Sequence, residues 1–159
     1  FAKLMEKYPE YTLTIYGDGA LRAQLEQMVA SFGAENRIFL PGVIPDVAEK
    51  IESAALFLLT SYSEGVSNAL IEAMALGLPV IATDVPSGGT VELIEHGKKG
   101  WIIPAGDEEA LTAALDMLLS DPELAERLGA QAHKIQERLA PERVNRQWQE
   151  YFEQCIMKG

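Results

Sequence analysis

The sequence predicts an α/β domain with a doubly wound, Rossmann-like parallel sheet. Short apolar segments of strand length alternate with segments of helical periodicity along the chain. The strand segments are apolar throughout rather than alternating, as expected for strands that are covered on both faces. At 159 residues, with 48% hydrophobic and 23% charged residues, the chain has the size and composition of one globular domain. We therefore predict a single domain over residues 1–159.

Five strands and seven helices are predicted. The predicted strands are "YTLTIYG", "RIFLPG", "ALFLLTS", "PVIAT" and "GWIIP". The predicted helices are 1–8, 19–32, 47–53, 67–76, 108–119, 122–139 and 141–157. Ligands of doubly wound sheets bind outside the carboxyl ends of the strands. The expected site region is therefore the set of loops that begin at Gly17, Gly42, Ser61 and Asp84.

Charge and cysteine content exclude several classes of function. Thirteen basic and 24 acidic residues give a net charge of −11, which disfavours binding to a nucleic-acid backbone. The single cysteine, Cys155, excludes an internal disulfide and a cysteine metal site. No apolar run approaches the roughly 18 residues of a membrane-spanning helix. The first helix begins at Phe1 without a capping residue or an initiator Met, so we expect the chain to be part of a longer protein.

Glu72 is the only charged residue of the predicted helix 67–76, "SNALIEAMAL". That helix is apolar on almost every side, so we expect it to be buried. A buried carboxylate without a partner would cost several kcal/mol or take up a proton, so Glu72 requires a hydrogen-bond donor. The residues alone do not decide between two possible hydrogen-bond donors, the hydroxyls of a ligand and a group in a neighbouring loop.

Glu64 and Gly65 lie in the loop between an apolar strand and this helix, and Ser67 or Asn68 is placed to cap the helix. Free amide groups at the positive end of a helix form a phosphate site that needs no lysine. Gly65 lacks a Cβ, so its backbone can approach a ligand closely. Capped turns of this kind are common, and this one alone does not identify a function.

The stretch 61–84 resembles the Glu, seven residues, Glu motif of the glycogen-synthase-like family four of retaining glycosyltransferases. The matching positions are Ser61, Glu64, Gly65, Glu72, Ala73, Gly77, Pro79, Val80, Ile81 and Asp84. The flanking segments "IYGDG", "RIFLPGVI" and "SGGTVELIEHGKKGWIIP" also resemble segments of that family. The resemblance covers essentially the whole chain. It implies the C-terminal, donor-binding half of a GT-B fold, closed by C-terminal helices.

The resemblance also implies roles for individual residues. Glu64, the catalytic candidate, would contact hydroxyls of the donor sugar as an orienting group rather than a covalent nucleophile. The implied donor-binding residues are Val43, Ile44, Gly65, Val66, Ser67, Asn68 and Glu72. The amides of 65–68 would hold the diphosphate and Glu72 the ribose hydroxyls. Val43 and Ile44 would contact the base, although packing of the loop explains these residues equally well. Glu92 would support the residues of the site without contacting the donor.

The implied donor is a nucleoside diphosphate sugar, with UDP- or GDP-sugars expected, and no metal or other cofactor is implied. The implied partner is an N-terminal acceptor-binding domain of the same protein. A strand and a loop with an Arg and a Lys that grip the diphosphate would precede Phe1. We expect a cytoplasmic enzyme of polysaccharide or glycolipid synthesis, compatible with peripheral association at the inner membrane face. The fragment alone is expected to bind a nucleotide weakly and to transfer no sugar.

Two other classes of function share this architecture. Sugar-nucleotide epimerases and phosphorolytic enzymes have a double-Rossmann fold, but the spacing of Glu64 and Glu72 favours transfer. A non-catalytic nucleotide-sugar-binding module is the other alternative. A receiver domain is disfavoured because the strand ends lack its aspartate cluster. Gly17 and Gly19 begin a dinucleotide fingerprint, but Arg22 occupies the position of its third glycine.

Overall fold

The computed structural model describes residues 1–157, and the last two residues of the predicted domain lie outside the described residues. The strands are Leu13–Tyr16 (β1), Ile38–Gly42 (β2), Phe57–Leu59 (β3), Val80–Asp84 (β4) and Trp101–Pro104 (β5). The helices are Arg22–Ser31 (α1), Val47–Ile51 (α2), Asn68–Ala75 (α3), Gly89–Ile94 (α4), Glu108–Ser120 (α5), Pro122–Ala132 (α6), Ile135–Arg138 (α7) and Pro141–Met157 (α8). The strands pair in parallel, which confirms the predicted α/β class.

β4 is the central strand, and it contributes to two apolar cores. It pairs in parallel with β3 on one side and with β5 on the other. Its side chains alternate between the faces of the sheet, so Val80 and Ala82 enter one core and Ile81 the other. The first core consists of Ile51, Leu70, Ala73, Met74, Leu78, Val80, Ala82, Leu93, Ile94, Ala132 and Ile135. The second consists of Leu4, Tyr8, Ile81, Ile103, Ala114, Leu115, Leu118 and Leu128. Helices therefore cover both faces, as the doubly wound prediction requires.

The predicted single sheet is divided into two. Over residues 1–157, β1 pairs with β2, and β3, β4 and β5 form a separate sheet. A cavity of about 940 Å³ lies between the two sheets, and every residue of β1 and β3 lines it. β3 is consequently only half-buried, although its sequence is apolar. A continuous sheet would need another strand between β1 and β3, where the expected preceding strand would fit. That expectation remains a prediction.

The N-terminal segment differs from the predicted helix. It contains a short 3-10 helix, Ala2–Leu4, followed by turns. Pro9 disfavours helical geometry at the residue before it, which limits the helix here. Leu4 and Tyr8 still pack in the second core. Lys7 and the Tyr8 hydroxyl donate hydrogen bonds to Asp116 of α5, and these bonds hold the pKa of that carboxyl below its usual range.

Two helix predictions need correction. The predicted helix 122–139 is broken into α6 and α7, because the amide of Lys134 bonds to the carbonyl of Gln131, three residues back. The sequence predicts no helix at α4, because adjacent glycines such as Gly88 and Gly89 are typical of loops. Gly88 instead takes a left-handed conformation, with φ at 72°, and starts the helix.

α8 is amphipathic, and none of its described residues is buried. Large apolar side chains on it are exposed, namely Trp148, Tyr151, Phe152, Ile156 and Met157. Trp148 stacks on Phe152 with the ring centroids 5.6 Å apart. α8 therefore contributes little to the two cores of the domain.

We expect the two sheets to differ in stability. Backbone amides of β4 should exchange with solvent only on global unfolding, because both faces and both edges of this strand are covered. Amides of β1 should exchange faster, since β1 faces the cavity and pairs with β2 alone among the described strands. Hydrogen exchange followed by NMR measures the amides of both strands. Equal protection of β1 and β4 would contradict the division of the sheet.

Removal of α8 should leave the domain folded. A chain that ends at Ala140 should melt within about 2 °C of the intact chain, because loss of exposed residues changes stability little. The control is Leu128→Ala, at a position that is 1% exposed, which should lower the melting temperature by about 5 °C or more. A large loss of stability in the shortened chain would show that α8 packs on the domain in solution.

Candidate functional site

The loops that follow β1, β2 and β3 contribute residues to the large cavity. Gly17 after β1, Val43 and Ile44 after β2, and Glu72 of α3 all line this cavity. The structure therefore brings three predicted site residues, Val43, Ile44 and Glu72, to one place. Glu64 and the residues 65–68 do not line it but lie in the adjoining loop that begins α3. A second cavity of about 230 Å³, lined by residues such as Leu118 and Pro122, contains no predicted site residue.

Glu72 is exposed, so the predicted burial of its carboxylate is wrong. α3 buries Leu70, Ala73 and Met74, whereas Asn68 and Glu72, four residues apart, are exposed on another face. The apolar sequence of α3 suggested burial on every side, but the cavity leaves the face with Glu72 open. A hydrated carboxylate needs no buried donor, and it can accept hydrogen bonds from ligand hydroxyls without a large desolvation cost.

Ser67, rather than Asn68, is the N-cap of α3. Its side-chain oxygen accepts a hydrogen bond from the amide of Leu70 at 3.4 Å, and its backbone is extended, as an N-cap requires. Ser67 is 8% exposed, so its hydroxyl serves the helix. The remaining amides of the first turn have no acceptor within a helix, and they are the groups that an anion can use.

Glu64 is half-buried and has a defined orientation. The hydroxyl of Ser61 donates a hydrogen bond to Oε1 of Glu64 at 2.7 Å. This bond closes a turn over the exposed residues Tyr62 and Ser63, and α3 begins four residues after Glu64. This is an anchored acceptor, suited to the hydroxyls of a sugar.

Glu92 takes part in an ion pair away from this loop. Its carboxylate lies 2.7 Å from Nη2 of Arg138, and Nη1 of Arg138 donates to the Glu92 carbonyl at 3.0 Å. These contacts join α4 to α7 and account for Glu92 structurally. Its predicted support of the site remains a prediction.

Several residues near the site are not predicted from the sequence. Lys50 of α2 lines the large cavity. Thr83 at the end of β4 and Gly89 at the start of α4 contact the loop of Glu64 and Gly65. Thr83 could have been found from its position near the carboxyl end of a buried strand. Gly89 could have been found from the pair of adjacent glycines to which it belongs.

Residues 1–157 contain neither a group of three or more His, Cys, Asp or Glu able to hold a metal ion nor a helix long and apolar enough to cross a membrane.

Comparison with known proteins identifies the family. Residues 1–135 match the family described as "Glycosyl transferases group 1". The chain belongs to this family. It is 31% identical over 159 residues to the exopolysaccharide phosphotransferase SCO2592 of Streptomyces coelicolor. The alignment covers 99% of this chain and 17% of that protein. The chain spans less than half the length of that protein and of other curated relatives that it matches.

Solved structures agree with this assignment. Alr3699/HepE of Anabaena, crystallised with UDP, superposes with a TM-score of 0.84 at 25% identity, over 96% of this chain and 44% of that one. The C-terminal domain of LpcC of Francisella tularensis, a group 1 glycosyltransferase, gives a TM-score of 0.77 at 25% identity, over 87% of this chain and 74% of that one. The glycosyltransferase domain described here thus has the fold of the C-terminal, Rossmann-like half of a GT-B enzyme.

Proposed function

We propose that this chain is the donor-binding domain of a retaining glycosyltransferase of the glycogen-synthase-like family four. The observation that carries the proposal is the arrangement around α3. Glu64 is anchored before the capped start of this helix, and Glu72 lies one turn further on, exposed to the cavity. Two carboxylates flanking free helix amides suit a ligand with hydroxyls at both ends and a diphosphate between them.

Each part of the donor has a proposed partner. Glu64 accepts from hydroxyls of the sugar, the amides of residues 65–68 hold the diphosphate, and Glu72 accepts from the ribose. Val43 and Ile44, on the opposite side of the cavity, contact the base. The proposed donor is a UDP- or GDP-sugar, and UDP is favoured because the similar HepE structure contains it.

The proposed reaction moves a glycosyl group to a hydroxyl acceptor with retention at the anomeric carbon. The bond from that carbon to the diphosphate breaks, a bond to the acceptor oxygen forms, and the proton of the acceptor hydroxyl passes to the departing diphosphate. Negative charge grows on the leaving diphosphate beside the start of α3, where oriented amides stabilise it. Glu64 orients the sugar as an acceptor of hydrogen bonds. The proposal requires no metal and no further cofactor.

The whole enzyme is proposed to contain more than this domain. The limited share of each relative that the chain covers supports an N-terminal acceptor-binding domain as partner. The gap between β1 and β3 supports a further strand of the same protein. The exopolysaccharide relative supports an acceptor in polysaccharide or glycolipid synthesis. A cytoplasmic location with peripheral association at the inner membrane face is part of this proposal, and nucleic acid is not a partner.

UDP should stabilise the isolated chain through Glu72. At a concentration tenfold above its dissociation constant, UDP should raise the melting temperature by about 3 °C. Glu72→Ala should remove most of this shift, because the ribose loses its acceptor. The matched control is Glu142→Ala on α8, an exposed carboxylate away from the cavity, which should respond to UDP as the wild type does. A parallel titration with GDP tests the base, and no shift with either nucleotide would exclude the proposed role.

The isolated chain should not transfer sugar. With UDP-glucose or GDP-mannose, release of the nucleoside diphosphate should stay at the uncatalysed rate, because the acceptor domain is not present. The same assay on the longer protein provides the positive control. Acceptor-dependent release by residues 1–159 alone would refute the proposed division of labour.

A further inference from the structure

Buried hydrogen bonds join the end of β4 to the loop that follows β3. The hydroxyl of Thr83 donates to the Ser61 carbonyl at 2.5 Å, and the hydroxyl of Thr90 donates to the Thr83 carbonyl at 2.8 Å. Thr83 and Thr90 are only 2% and 1% exposed. The Ser61 hydroxyl in turn donates to Glu64. A continuous series of hydrogen bonds thus runs from α4 through β4 to the carboxylate proposed to orient the sugar.

Gly89 supports the same loop by direct contact of the two backbones. A Cβ built on Gly89 would lie 2.3 Å from the Gly65 carbonyl oxygen and 3.1 Å from its carbon. No side chain fits there unless the loop moves. The backbone of Gly65 therefore rests against the start of α4.

We propose that Thr83 and Gly89 are positioning residues that fix the loop between Ser61 and Val66, and with it Glu64 and the diphosphate-binding amides. This inference rests on the proposed function. Neither residue is proposed to touch the donor.

The exposure of the loop explains why these two contacts matter. Tyr62 is 75% exposed and Val66 is 64% exposed, so apolar burial does little to define the conformation of the loop. Its two ends are instead defined by the bond from Thr83 and the contact with Gly89. Because a displacement of about 1 Å can cost a large factor in binding or rate, loss of either contact should reduce function more than stability alone predicts.

Thr83→Val tests the hydrogen bond, because valine keeps the shape of threonine and removes the donor. The dissociation constant for UDP should rise about 3- to 10-fold. The dissociation constant for uridine, measured by NMR titration, should not change, since uridine lacks the diphosphate. The matched control is Thr112→Val, which removes an exposed bond to the Glu108 carbonyl of the same type and 2.8 Å in length. Equal weakening of uridine and UDP, or of both variants, would indicate a structural role only.

Gly89→Ala tests the backbone contact, and Gly129→Ala is its control. At Gly129 a Cβ would lie 2.2 Å from the Gly77 carbonyl oxygen, an equivalent collision between α6 and the turn after α3, away from the loop of Glu64. Both variants should melt at lower temperature. Measured well below either melting temperature, only Gly89→Ala should bind UDP more weakly, by about tenfold or more. Wild-type affinity in Gly89→Ala would overturn the inference.

The failure of this inference can be distinguished from failure of the proposed function. If the wild type binds UDP and both Thr83→Val and Gly89→Ala keep its affinity, the positioning role is wrong and the donor site stands. If the wild type binds neither UDP nor GDP, the proposed function fails. The positioning of the loop is then judged without ligand, from the amide resonances of Glu64 and Gly65. These resonances should shift in Thr83→Val and stay unchanged in Thr112→Val, and unshifted resonances in Thr83→Val would overturn it.

Discussion

β4 lies between two apolar cores, and its position determines where the elements of the candidate site are placed. Val80 and Ala82 pack with α3 and α4, while Ile81 packs with α5 and α6. Burial of Val80 and of Ile81 contributes about 1.5–3 kcal/mol each. The parallel register of β4 with β3 fixes the point at which the chain leaves Leu59 and enters the loop of Glu64. The next-to-last residue of the same strand is Thr83, whose hydroxyl holds that loop. Packing on β4 and the geometry of the loop are therefore not independent.

The division of the sheet gives the site an unusual construction. Glu64 and Glu72 belong to the well-packed unit around β4, whereas Val43 and Ile44 follow β2 in the smaller sheet. A nucleotide that contacts both groups would join the two units across the cavity. Its binding free energy would then partly stabilise the arrangement of β1 and β2, in the way that any ligand of the native state stabilises folding. A strand between β1 and β3 would do the same through backbone hydrogen bonds and would remove two unpaired edges.

The sequence was sufficient for the elements with a strong local signal. Apolar strand segments identified all five strands, and the apolar segment 67–76 with its capping residue identified α3, which begins at Asn68. α4 was missed because adjacent glycines are typical of loops, and only the three-dimensional structure shows that Gly88 starts a helix. The exposure of Glu72 could not be predicted from the sequence. An apolar helix predicts burial on every side, whereas one face of α3 borders the cavity. Thr83 and Gly89 have ordinary local patterns, and their importance comes from contacts between residues distant in the sequence.

The charges of this domain favour binding of the donor over stabilisation of the leaving group. The chain has a net charge of −11, and the charged residues that line the large cavity are Glu10, Lys50 and Glu72. A diphosphate at this site must therefore rely mainly on the amides and dipole at the start of α3, equivalent to roughly half an elementary charge. Such a field can hold the bound diphosphate, but the leaving group gains further negative charge as the glycosyl bond breaks. The amides at the start of α3 stabilise part of that additional charge, and a further positive group would stabilise the rest. The described residues are consequently better suited to donor recognition than to the transfer step, which agrees with the proposal that another part of the protein completes the active site.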